Sequence, residues 1–271
     1  MKKIKFVCTI TFSIILFTSC AKIVEEDIIW QPKALPVVFS IISPQHIVHV
    51  SLNKTVTFTE PVDSIIYPSA KVFVCGNDKN WIELSRKSYE HATYTDTLHQ
   101  INIKEGEKYY LRVDLPNGSL TAETTVPLQE ASIIEAEYNI DNSSIGTGYY
   151  TGILNSKIKL AENYQCIMTA NSFIIGNSNN TFLQNNIIAE NLYLPDSISR
   201  FDIELITLDS YLSKYIVSQK INSRMYFQDG DYSIFIGAFN GVLPSYSNIK
   251  NGVGLFGSYV TTTKTVNITL P

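Results

Sequence analysis

Cys20 is the residue of this chain whose type and surroundings point most directly to chemistry. It closes a segment in which Lys2, Lys3 and Lys5 are followed by an apolar run from Phe6 to Phe17, and Thr18-Ser19 leads into the thiol. A positive start, an apolar stretch of about 12 residues and small residues at the end make up a secretory signal peptide. With cysteine at the cleavage point the segment reads as a lipobox, in which residues 1–19 leave and Cys20 takes acyl chains. The alternative is an ordinary signal peptide with an incidental cysteine. A spanning anchor fits less well, because about 12 apolar residues cannot cross ~30 Å of hydrocarbon.

The remaining constellations are weaker. Gly252-Val253-Gly254-Leu255-Phe256-Gly257 matches the dinucleotide string G-x-G-x-x-G, but that site needs a strand before the string and a helix after it. Here Tyr259, Val260, Thr261 and Val266 follow, a β-branched run that predicts a strand. The glycines are better read as tight turns and close backbone approach before the last strand. His46 and His49 would face opposite sides of a strand, and His91 and His99 lie too far apart to share a zinc ion. Asp202 and Glu204 share one strand face and could pair for acid–base work, yet a half-buried strand shows the same alternation. Asp229-Gly230-Asp231 reads as a hairpin turn before a calcium site. No G-x-S-x-G elbow occurs. The sequence therefore predicts a non-enzymatic protein with no catalytic residue, metal site or cofactor.

The composition narrows the partners. The 271 residues carry a formal net charge of −4, which grows more negative when the three N-terminal lysines leave. Without a basic cluster there is no electrostatic footprint for nucleic acid and no polybasic attraction to anionic lipid. Membrane contact is expected from acyl chains on Cys20. Cys75 and Cys166 remain in the mature chain; each sits in an apolar run, so buried free thiols are expected, with a bridge as the alternative.

The elements that must position any site are strands. Residues 20–36, with Glu25-Glu26-Asp27, Trp30, Pro32 and Pro36, read as a lipidated tether. Residues 37–127 alternate apolar and polar: Val48, Val50 and Leu52; Val72 and Val74; Tyr109, Leu111, Val113 and Leu115; Leu120, Ala122, Thr124 and Val126. Pro116-Asn117-Gly118 supplies a turn. This spacing predicts a β-sandwich of immunoglobulin or fibronectin type III character. Residues 128–271 predict a second β-rich unit, with strands over 132–138, 156–160, 164–170, 201–208, 231–239 and 259–270. One short helix is expected there, capped by Asp209 or Ser210, with Tyr211, Leu212, Tyr215 and Ile216 on one stripe. Asn171 to Asn191 has weak periodicity and reads as a long loop or irregular excursion. The fold class is all-β, two sandwich units with one helix in the second.

Strings along the chain resemble a known family. Leu35-Pro36-Val37-Val38-Phe39, Val48-His49-Val50-Ser51-Leu52, Ala70-Lys71-Val72-Phe73-Val74, the run Ile103 to Val113, Ala122 to Pro127 and above all Ser247 to Gly257 are similar to Bacteroidota lipoproteins grouped as a domain of unknown function, DUF4249. The acidic triplet after Cys20 resembles their surface-export signals. The resemblance implies an outer-membrane, lipid-anchored β-sandwich facing the cell surface, with the periplasmic face as the alternative. It also implies an accessory or substrate-binding role beside a TonB-dependent receptor, with a structural, self-associating surface protein as the second reading. No catalytic residue comes with it. Candidate contact residues are Asn171, Asn177, Asn179, Asn180 and Asn185 in the Asn-rich segment, with Tyr246 and Asn248 near the last glycines.

Overall fold

A computed structural model describes residues 34–55, 67–88, 92–141, 149–170, 173–175, 183, 186–195, 197–218 and 246–268. Cys20, His91, the Asp229-Gly230-Asp231 turn and the strand expected at 231–239 lie outside the described residues. What is described is mostly strand, with one short helix.

The first eight strands are β1 (Pro36–Ile42), β2 (His49–Lys54), β3 (Lys71–Cys75), β4 (Ile82–Glu83), β5 (Ser85–Ser88), β6 (Thr93–Thr95), β7 (Lys108–Leu115) and β8 (Gly118–Thr125). Four of them form an antiparallel sheet in the order β4-β3-β7-β8. The alternation read from the sequence puts Val72, Val74, Tyr109, Leu111, Val113, Leu120 and Ala122 on its inner face. They meet Val38, Val48, Val50 and Leu52 from β1, β2 and the loop between them, giving the first core.

The later elements are β9 (Ser132–Ile140), β10 (Tyr149–Lys159), β11 (Gln165–Ala170), β12 (Phe173–Ile175), β13 (Asn186–Pro195), β14 (Arg200–Leu208), a helix α1 (Ser210–Ser218) and β15 (Val253–Asn267). Strands β13-β10-β9 form a second small sheet. Tyr138, Tyr150, Leu154 and Leu194 from it pack on Cys166, Met168, Phe201, Ile203 and Leu205, giving the second core.

An eight-stranded sheet, ordered β12-β11-β14-β15-β1-β2-β6-β5, underlies both cores. The four-stranded sheet lies wholly before position 128 and the three-stranded sheet wholly after it, whereas this large sheet draws on both sides. Its spine is β15, 15 residues long, or about 50 Å at the usual rise per residue. Val253 to Ser258 pair in parallel with β1, and Tyr259 to Asn267 pair antiparallel with β14. Phe256 and Val260 enter the first core and Val266 the second. These residues share parity, so both small sheets cover the same face. Leu255 points to the opposite face, where α1 packs.

Two expectations need correcting. Asn171 to Asn191 is not one irregular excursion: it contains β12 and the start of β13. These strands are held by pairing to β11 and β10 rather than by any alternation of their own. The glycine string also does not precede the last strand. Gly254 and Gly257 lie inside β15. Gly254 adopts φ +126°, and a Cβ there would stand 1.8 Å from the Val38 carbonyl oxygen. A Cβ on Gly257 would reach 3.0 Å from the Cβ of Leu212 on α1. The glycines let β1 and α1 close on the spine, which is the close backbone approach that the string suggested.

At the entry to β7 the Tyr109 hydroxyl donates to the Asn102 carbonyl at 2.9 Å and accepts from the Lys104 amide at 2.8 Å. A tyrosine tied back to the backbone a few residues upstream is the corner that fixes a crossing between sheets of a sandwich. Gly118, in the β7–β8 turn, has φ +140° with nothing within 4 Å of a built Cβ. Gly254→Ala and Gly118→Ala therefore share backbone strain, on the order of 1–3 kcal/mol, and differ in the clash. Urea unfolding of the pair is expected to show Gly118→Ala folded and modestly weakened, and Gly254→Ala weakened well beyond it. Equal losses would mean that β1 can retreat from β15.

Candidate functional site

The site is built where β15 changes partner. Ser258 is the last residue paired with β1, opposite Ile42, and Tyr259 the first paired with β14, opposite Leu208. The chain leaves β14 there and turns into α1. Asp209 caps the helix as the sequence predicts: its Oδ1 accepts from the Leu212 amide at 2.6 Å, and its carbonyl accepts from the Ser213 amide and hydroxyl. The Asp209 amide donates to the Ser258 carbonyl at 3.0 Å.

The other carboxylate oxygen turns inward. Asp209 Oδ2 is hydrogen-bonded with the Thr124 hydroxyl of β8 and lies 3.2 Å from the Ser258 hydroxyl. Thr124 Oγ1 and Ser258 Oγ are 3.0 Å apart, and Ser258 Oγ is 3.0 Å from the Thr125 carbonyl. Thr124 and Ser258 are 0% exposed and Asp209 3%. Burial pushes the Asp209 carboxyl up to about 6, against the hydrogen bonds of Thr124, Leu212 and Ser258, which lower it. Helix, four-stranded sheet and spine thus meet on one carboxyl group.

Outside this junction lies a tyrosine surface. Leu212, Tyr215 and Ile216 bury the stripe of α1 against Phe39, Ile41, Ile167, Ile206 and Leu255. The Tyr215 ring meets Phe39 edge-on at 5.6 Å. Around them Tyr211, Tyr246 and Tyr259 are only partly buried, and the His46 ring lies 6.2 Å from that of Tyr259. Burial, with Tyr211 and Asp209 nearby, pushes the Tyr246 phenol up. Tyrosines with an apolar ring and a polar tip suit a contact surface.

Of the contact residues expected from sequence, Tyr246 belongs to this surface. Asn248 has a different task. Its amide donates to the Phe256 and Glu123 carbonyls at 2.8 and 3.3 Å, while its Oδ1 accepts from the Phe256 amide at 2.9 Å. Lys250 and Thr121 exchange backbone bonds, and Asn251 Nδ2 donates to the Ser119 carbonyl at 3.0 Å. The segment 248–251 so covers the free edge of β8 and fastens it to β15. Asn171, Asn177, Asn179, Asn180 and Asn185 lie outside the described residues.

The weaker constellations resolve into sheet surface. Asp202 Oδ1 accepts from the Thr265 hydroxyl at 2.6 Å and Glu204 Oε2 from Thr169 at 3.3 Å, each across the strand register. His49 Nδ1 meets Thr95 Oγ1 at 2.8 Å, and burial lowers its pKa, with Lys87 and His46 adding to that. Cys75 and Cys166 are buried free thiols, which burial keeps protonated. Sequence reasoning missed Arg112, which lies 4.5 Å from the Phe73 ring centre and 4.8 Å from that of Trp81 on the outer face of the four-stranded sheet. It also missed Thr124, read only as a strand residue, and Ser258, which lay outside the strand expected at 259–270.

With this geometry in place, the profile of one family, described as Domain of unknown function (DUF4249), matches residues 23–265. The chain belongs to this family. Comparison with curated proteins returns no match. In this DUF4249 chain the run Ser247 to Gly257 is both the edge cover of β8 and the first half of the spine.

Asn248→Ala removes three buried or half-buried hydrogen bonds, each contributing about 1 kcal/mol. It is expected to lower unfolding free energy by roughly 2–3 kcal/mol in urea titration. Tyr246→Ala is expected to cost less stability than Asn248→Ala, since its ring is only partly buried. The reverse ranking would make Tyr246 the structural residue of the two.

Proposed function

We propose that this DUF4249 chain is an outer-membrane lipoprotein, anchored through Cys20 and facing the cell surface. It acts by binding, as the accessory or substrate-binding partner of a TonB-dependent transporter. The observation that carries the binding role is the tyrosine surface of Tyr211, Tyr246 and Tyr259 over a helix that is bolted to both layers. Such a surface is apolar enough to dock and polar enough to stay in water when undocked. The anchor rests on the lipobox reading of residues 1–20, and the transporter partnership on the resemblance of the chain's strings to Bacteroidota lipoproteins. The immunoglobulin or fibronectin type III character of the first sandwich is supported by the Tyr109 corner and by the parallel pairing of first and last strands.

Two experiments test this. Labelling of growing cells with a fatty-acid probe is expected to mark the wild-type protein and not Cys20→Ala, which should leave the membrane fraction. Labelling of Cys20→Ala would end the anchor reading. Purification of the tagged protein from detergent-solubilised outer membrane is expected to bring down a TonB-dependent receptor in stoichiometric amount. The joint variant Tyr211→Ser, Tyr246→Ser is expected to lose it while staying folded. Recovery of copies of the protein alone would favour the self-associating reading instead.

A further inference from the structure

The oxygen contacts around Asp209 can be counted against the protons available to fill them. Four contacts lie in sequence or in a ring: Asp209 Oδ2 with Thr124 Oγ1, Thr124 Oγ1 with Ser258 Oγ at 3.0 Å, Ser258 Oγ with Asp209 Oδ2 at 3.2 Å, and Ser258 Oγ with the Thr125 carbonyl at 3.0 Å. An ionised Asp209 leaves two protons, those of the two hydroxyls, for four contacts. Two oxygen pairs at hydrogen-bond distance would then face each other bare. A neutral Asp209 brings a third proton. The carboxylic acid donates to Thr124, Thr124 donates to Ser258, and Ser258 donates to the Thr125 carbonyl. The single contact left empty is then the 3.2 Å one. Oδ1, the carbonyl oxygen of the acid, keeps the Leu212 amide.

The surroundings agree with the count. Thr124 and Ser258 are fully buried, and the leading influences on Asp209 are its burial and its hydrogen bonds. The neighbouring elements carry Tyr211, Lys214 and Tyr215 on α1, Arg200, Asp202 and Glu204 on β14, Tyr259 and Lys264 on β15, Tyr246, and the Lys108–Glu123 ion pair across β7 and β8. That pair is closed on itself at 2.7 Å, and Glu123 alternates with Thr124 to the outer side of β8. An isolated buried carboxylate is costly and neutralises instead.

We infer that Asp209 is carried as a neutral acid and closes a proton-filled chain, Asp209–Thr124–Ser258–Thr125, that fastens α1 to both layers and loosens when the carboxyl ionises. The chain is a pH-responsive catch at the joint between the two sandwiches, beneath the tyrosine surface. It stands independently of the proposed partner. The sign follows from linkage: a carboxyl raised from 3.8 to about 6 by folding contributes stability that is complete below the unfolded value and is lost as pH rises through the folded one.

The test uses the full-length lipoprotein in detergent. Infrared spectra of the wild type are expected to hold a protonated carboxylic acid band at pH 5 that disappears by pH 7.5 and is missing from Asp209→Asn. Hydrogen exchange in the peptide holding the Leu212 and Ser213 amides, corrected for intrinsic rates, is expected to lose protection over the same interval by up to roughly 10-fold. Asp209→Asn, which keeps the cap and cannot ionise, should hold constant protection. An ionised carboxylate at pH 5, or wild-type protection independent of pH, would overturn the inference. The infrared titration needs only the wild-type protein, so a poorly folding variant does not spare the proposal.

Discussion

Everything in the described chain hangs on one strand having to serve two sandwiches. β15 pairs with β1 along its first six residues and with β14 along the rest. The two partners lie on opposite edges of β15, and one pairing ends where the other begins. The parallel approach of β1 is the tight half of the arrangement: the Val38 carbonyl occupies the space where a side chain on Gly254 would stand. A left-handed glycine inside a strand weakens it in isolation. Here that cost is offset by the contact it permits with β1 and, through Gly257, with α1. The string that imitates a nucleotide loop is the backbone's solution to a crowding problem.

The change of partner creates the second constraint. Where a strand switches neighbours, backbone groups and chain ends crowd into the interior, and they must be satisfied there. The Ser258 carbonyl takes the Asp209 amide, and Asp209 in turn caps α1 and gathers the hydroxyls of Thr124 and Ser258. A polar cluster in a dry seam costs stability unless its contacts are complete. That need explains why Thr124 and Ser258 occupy inward strand positions that alternation alone would fill with Val or Ile. It also places a deeply buried acid where the two halves join.

How much of this was legible in advance depended on the range of the interaction. The faces of β2, β3, β7, β8 and β14 were readable because alternation is local: Val72 with Val74, Leu111 with Val113, Phe201 with Ile203 and Leu205. The helix was readable because Asp209 and the Tyr211, Leu212, Tyr215, Ile216 stripe lie within three turns. β12 and the start of β13 were not, since an Asn-rich run becomes strand only when β11 and β10 offer it an edge. Asn248 was visible as a residue near a glycine-rich turn, but its bonds to Phe256 and Glu123 join positions 8 and 125 residues away. Arg112 gave no signal, because its stack of Phe73 and Trp81 comes from two other segments.

The sequence by itself determined the all-β class, the inward faces of the strands, the helix and its cap, and the family to which the chain belongs. Each follows from residue types read over a few positions, where steric preference and alternation act without help from distant chain. Tertiary structure alone decided that one strand is shared by two sandwiches, that glycines sit within it, and that Asp209, Thr124 and Ser258 meet. Those outcomes depend on which edges come together, and an edge exposes the same backbone groups whatever its sequence. Side chains name the face of a strand; only the assembled sheet names its neighbour.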